Sequence, residues 1–178
     1  SVLYTSCDAL DLAPEDYFGS GNYWNNEAQV EGFMYGMHSQ LRGNYNMFYC
    51  LGELRGGTQR VGSSSQNTSL DYAILRTNTL SQDNPGFTNW FGLYSPIMQV
   101  NHFIQKVENE CAFLSEADRK TYLGQAYGLR ALYYFMLYKT YGGVPLITDV
   151  KVLEGGKISA DALYTERSTP ETILKFIK

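Results

Sequence analysis

Histidine occurs twice in 178 residues and cysteine three times. Cys7, Cys50 and Cys111 form no C-x-x-C pair, and neither His38 nor His102 stands at metal-ligand spacing from them. Zinc binding and thiol-disulfide chemistry therefore lack support, and no cofactor is expected. Charge is also sparse: 14 Lys and Arg against 18 Asp and Glu leave a net charge of -4, with no positive field to hold nucleic acid. No run of about 18 apolar residues exists, so no helix is expected to span a bilayer. A nucleophile elbow, a phosphate loop and an H-E-x-x-H pattern are all missing. The carboxylate pairs Glu15 with Asp16 and Glu53 with Asp71 are accounted for more simply as solvated loop charges than as acid-base catalysts. The chain reads as a binder, not an enzyme.

What it has in quantity is apolar and aromatic surface. Apolar residues make up 44% of the chain, enough for one domain with its own core. Fifteen Tyr, nine Phe and two Trp bring the aromatic share to 15%. Tyr in that number suits surfaces that are half packed and half wet, as a binding face is.

Residues 1–24 divide from the rest. Ser1 to Ser6 read as the tail of a secretory signal ahead of Cys7, and residues 8–24 as an extended, acidic, turn-rich arm. Residues 25–178 form the helical region. Val30, Phe33, Met34, Met37 and Leu41 fall at helical spacing, with Asn25 or Asn26 as cap and Gly43 just past the end. His38 lies in this helix and is assigned no role. Residues 42–86 hold Gly43, Gly52, Gly56, Gly57 and Gly62 with a serine-rich run, so they read as long and mostly irregular. A loop of that length in a compact domain is usually functional.

The clearest pattern is an antiparallel helical hairpin over residues 87–141. Phe87, Trp90, Tyr94, Ile97, Asn101 and Ile104 share one helical face, and Pro96 should bend or interrupt the first turns. Ser115 caps the second helix, with Glu116 and Asp118 in its first turn. From Ala126 to Tyr138 the only charge is Arg130, so this helix needs cover on several sides. A guanidinium in such surroundings needs an acceptor. Glu53 is the candidate partner, and a packing and hydrogen-bonding clamp is a simpler role for Arg130 than ligand binding. Gly142 and Gly143 supply a left-handed C-cap and Pro145 prevents continuation. Thr169-Pro170-Glu171 opens a further helix with Thr169 as cap. The expected fold is mostly all-α, a tetratricopeptide-like helical repeat scaffold with long irregular loops.

The run Arg130-Ala131-Leu132-Tyr133-Tyr134-Phe135, followed by Tyr141-Gly142-Gly143-Val144-Pro145-Leu146, resembles the SusD/RagB family of outer-membrane nutrient-binding lipoproteins. Trp90, Tyr94, Ile97 and Asn101 look like that family's preceding helix, and Thr169-Pro170-Glu171 with Ile173 like its next one. Cys7 with Asp8, Leu10 and Asp11 looks like its lipidated start, although Tyr4 stands where a lipobox usually has Leu. The resemblance implies a lipid anchor at the bacterial surface and partnership with a TonB-dependent, SusC-like transporter. It also implies that the chain is an amino-terminal portion of a longer protein.

An oligosaccharide ligand needs aromatic faces and side chains that bond hydroxyls. The expected contacts are Asn44, Asn46, Arg55, Asn67, Asp71 and Tyr72, with Tyr45 among the aromatics offered by the same region and Trp90 added from the hairpin. Two alternatives stand beside a glycan: a peptide ligand, or a scaffold that docks a protein partner.

Overall fold

The computed structural model describes residues 23–58, 74–75, 77–81, 83, 90–148 and 165–178. The expected arm therefore lies outside the described residues except for Tyr23 and Trp24. Helix α1, Glu27–Gly43, starts where Asn26 turns extended and its side chain accepts from the Gln29 amide at 3.0 Å. It buries Val30, Met34 and Met37, the face expected from their spacing. Trp24, just ahead, sits at φ 72, a left-handed backbone that a bulky residue adopts only under tertiary constraint. Its indole is buried against Phe33, His102 and Phe103, with ring centroids 4.8 to 5.9 Å away, and this packing supplies the constraint.

The first part of the stretch read as irregular, residues 42–86, is helical, while residues 59–73 and 84–86 lie outside the described residues. Helix α2, Tyr45–Tyr49, follows α1 directly and runs on as a π-helical turn, Cys50–Leu54. Its wider bonding is seen in the Arg55 amide, which donates to the Cys50 carbonyl five residues back at 3.3 Å. Cys50, Leu51 and Leu54 are buried, and that burial offsets the poor local propensity of a stretch containing Gly52. Only from Gly56 and Gly57 does the chain turn away.

The hairpin consists of α3, Phe91–Asn109, and α4, Glu116–Tyr141. The expected start at Phe87 lies outside the described residues. Pro96 does not interrupt α3; the carbonyl left without its donor belongs to Gly92, which is exposed to solvent. Leu93, Ile97, Val100, Phe103, Ile104 and Val107 are buried along one side of α3. At the turn, Arg119 donates to the carbonyls of Val107 and Cys111, closing the end of α3 from the first turn of α4. Ser115 caps α4 by accepting from the Asp118 amide at 3.1 Å.

Helix α4 is covered by α3 along its length, while Tyr127, Leu132 and Phe135 stay partly exposed. The core lies in two clusters along the hairpin. One gathers Val30, Met34 and Met37 of α1 with Val100, Phe103, Ala126 and Leu129. The other gathers Leu51 and Leu54 with Tyr94, Ile97, Tyr133, Leu137 and Ile173, the last from α5, Pro170–Ile177. Helix α5 begins as expected, with Thr169 accepting from the Thr172 amide and Pro170 in the first turn. The architecture is mostly all-α, a tetratricopeptide-like scaffold.

Gly142 ends α4 at φ 72 and ψ -120. Those angles differ from the expected left-handed α conformation, though only glycine adopts them without strain. Gly143 answers a different need, since a Cβ there would run into the Ser168 carbonyl and sit 3.2 Å from the Pro170 ring.

Candidate ligand-binding surface

The residues that made the hairpin distinctive in sequence are used to hold the segment after it. Tyr94 donates its hydroxyl to the Pro145 carbonyl at 2.5 Å. Asn101 donates to the Ile147 carbonyl at 2.9 Å and accepts from Arg130 at 2.9 Å. Tyr134 both donates to the Ile147 carbonyl, at 2.9 Å, and accepts from the Ile147 amide, at 2.7 Å. Three side chains from α3 and α4 thus bind Pro145 and Ile147, and Arg130 holds one of them, Asn101. Arg130 does not pair with Glu53, which corrects the expectation. Its guanidinium lies 5.2 Å from the ring centres of both Tyr127 and Phe176 and makes no ion pair among the described residues. Burial lowers its pKa, while Tyr127, Tyr134 and Glu108 act in the opposite direction. Arg130 is a clamp, because its neighbours are two rings and an amide.

Trp90 caps α3 from outside. Tyr141 meets it edge-on at 5.4 Å and the Arg167 guanidinium lies 5.1 Å over its ring. Arg167 in turn donates to the carbonyls of Gly143, at 2.7 Å, and Tyr141, at 2.8 Å. Nothing local in the sequence marked Arg167, since its acceptors are 24 and 26 residues away.

The remaining expected contacts that are described lie together around α2. Asn44 is partly buried at the α1 to α2 junction, its amide donating to the Gln40 carbonyl at 3.0 Å. Asn46 is exposed on α2 and accepts from the Cys50 thiol at 3.7 Å. Arg55, at the end of the π turn, donates to Asn78 at 3.0 Å, and Asn78 itself sits at φ 53. Asn67, Asp71 and Tyr72, like Cys7, lie outside the described residues.

The same stretch presents side chains that the site expectation left out. Tyr49, one helical turn after Tyr45, stacks on it with ring centroids 6.2 Å apart and planes 21° from parallel. Tyr45 is 67% exposed. Glu53 follows on the π turn, one carboxylate oxygen accepting from the Thr58 hydroxyl at 2.7 Å. The repeat Tyr45, Tyr49, Glu53 was available in sequence, but it carried no meaning until α2 was known to be helical. Among the described residues, no group of three or more His, Cys, Asp or Glu is placed to hold a metal ion, and no helix is long and apolar enough to cross a membrane.

Comparison with known proteins points one way. The profile of a SusD-like family, described as starch-binding and associating with the outer membrane, matches residues 11–178. A SusD-like protein of Formosa agariphila is 26% identical over 174 residues, which are 96% of this chain and 32% of that protein. Among solved structures, B. fragilis NanU is similar with a TM-score of 0.73 at 32% identity, over 93% of this chain and 31% of its own. A SusD superfamily protein from Bacteroides vulgatus gives a TM-score of 0.67 at 30% identity, over 86% and 30%. The chain spans about a third of the length of these relatives.

Proposed function

Because the chain belongs to the SusD-like family, described as starch-binding and associating with the outer membrane, we propose that its protein is a cell-surface glycan-binding lipoprotein. In this reading Cys7 carries the lipid anchor, and bound oligosaccharide passes to a TonB-dependent, SusC-like transporter in the outer membrane. Its role is capture and delivery, with no bond made or broken. The observation that carries the reading is the family match over residues 11–178. The ligand face is the region from Asn44 to Tyr72, with Asn44, Asn46, Arg55, Asn67, Asp71 and Tyr72 as contacts. Amide and guanidinium donors with carboxylate acceptors suit sugar hydroxyls, which both donate and accept. Trp90 is set aside as a contact, because Arg167 and Tyr141 already occupy its ring.

The test is titration of the full-length protein with a panel of oligosaccharides and peptides, following Tyr and Trp fluorescence. Saturable quenching by one or more glycans is expected. Response to peptides alone, or to nothing, would overturn the glycan reading. Copurification with a large outer-membrane barrel, lost from the membrane fraction in Cys7→Ala, is the expected readout for anchoring and partnership.

A further inference from the structure

Helix α4 is apolar on the side that faces away from its core. At about 3.6 residues per turn, Gly124, Gly128, Ala131, Leu132 and Phe135 share one side, opposite the buried Ala126, Tyr133 and Leu137. Leu132 is 37% and Phe135 42% exposed. A Cβ on Gly124 or Gly128 would meet nothing within 4 Å among the described residues. Between Lys120 and Lys139 every exposed residue of α4 is uncharged. A helix side that stays in water is usually polar or charged, and glycine inside a helix lowers its stability relative to alanine. Two glycines one turn apart on such a side therefore bring no local gain. Helix α1 also has two exposed glycines, Gly32 and Gly36, but Glu27, Glu31 and His38 are exposed on the same helix, which suits water.

We propose that the outer side of α4 is an internal seam of the full-length protein, covered by a helix from the chain beyond Lys178 that packs along Gly124, Gly128, Leu132 and Phe135. The face is then neither a ligand surface nor a docking surface for a transporter, and the inference does not depend on the glycan reading. Glycines beside large apolar residues form a groove and a ridge, into which a second helix packs closely. The length of the relatives supplies the occupant, since this chain spans about a third of them. Helix α5 already lies on the adjoining flank of α4, with Phe176 against Tyr134 at 5.2 Å and beside Arg130. A helix that turns back after α5 reaches the open side, as α4 turns back after α3. Permanently buried contacts are more apolar than those that open to water, and a strip without charge fits the permanent kind.

Thermal melts of the full-length protein separate a covered face from an open one by sign. Leucine is a far better helix former than glycine, so Gly128→Leu raises the melting temperature if the face is open. Under the seam it is expected to lower it by about 3 °C or more, and Leu132→Lys to lower it as well. Hydroxyl-radical footprinting of the wild-type protein needs no variant: Leu132 and Phe135 are expected to oxidise much more slowly in the native protein than in urea. Benzoylphenylalanine in place of Phe135 then identifies the cover, and irradiation is expected to give an adduct within one chain to a peptide beyond Lys178. Both variants melting at or above wild type, or equal oxidation in native and unfolded protein, overturns the seam. An adduct to a second copy, to an outer-membrane barrel or to residues 1–178 overturns the proposed occupant.

Discussion

Tyr133 and Tyr134 are neighbours in sequence, both fully buried, and opposite in hydrogen bonding. The Tyr134 hydroxyl makes two bonds to the backbone of Ile147, whereas the Tyr133 hydroxyl has no partner among the described residues. An unpaired buried hydroxyl costs about 1 to 3 kcal/mol, and removing a paired one exposes its partners to the same penalty. Tyr133→Phe is therefore expected to be neutral or to stabilise by about 1 kcal/mol, and Tyr134→Phe to destabilise by about 2 kcal/mol. Urea denaturation should show the two midpoints moving in opposite directions. Burial also pushes the Tyr134 hydroxyl up to about 12, and Tyr94 is raised for the same main reason. An unfolded tyrosine titrates near 10. Both groups thus keep their protons in the folded protein when the unfolded chain has begun to lose them. Their contribution to stability is intact below about pH 10 and is lost as pH rises through about 12. Denaturation midpoints measured from pH 8 to 12 should fall over that window, and less steeply in Tyr134→Phe. Arg130 was read in sequence as a clamp, and so it is. Its partner was misread, because Asn101 looked like one more position on an apolar face while Glu53 looked like the available charge.

Helix starts were the most legible elements. Asn26, Ser115 and Thr169 each cap through an amide three residues on, an interaction complete within one turn and so readable from local order alone. The stop at Gly142 and Gly143 was equally plain, but the two glycines serve different purposes. Gly142 supplies a backbone conformation, which is local. Gly143 makes room for Ser168 and Pro170, which no local pattern could announce. Gly143→Ala is expected to force α5 away from the hairpin, costing about 1 to 3 kcal/mol as an overpacked site does. Limited proteolysis should then cut near residues 165–178 faster than in wild type, while α3 and α4 stay protected. The segment Tyr45 to Leu54 was the element most at odds with its sequence. Glycines at both ends suggested a loop, yet burial of Cys50, Leu51 and Leu54 against the hairpin keeps it helical. Of the expected contacts, Asn44, Asn46 and Arg55 fall on or beside it, while Trp90 is half-buried and packs against Tyr141 and Arg167.

Across the whole molecule, the hairpin acts as a spine between two clusters, with α1 against one and the π turn with α5 against the other. Of its conspicuous polar residues, Tyr94, Asn101 and Tyr134 tie down Pro145 and Ile147, and Arg130 holds Asn101. The sequence motif that carried the family resemblance is therefore a structural fastening, and the candidate binding surface lies on a separate element. The sequence by itself determined the helical class, the hairpin and its caps, the hard stop after Tyr141 and the family. These depend on spacing, end signals and motif order within a few turns. Only the tertiary structure decided that Arg130 faces Asn101 between two rings, that Arg167 closes over Trp90, and that Tyr45 to Leu54 is helical with two tyrosines in line. Each of these depends on a contact between distant residues or on burial against another helix, and such energies are absent from any local window of the chain.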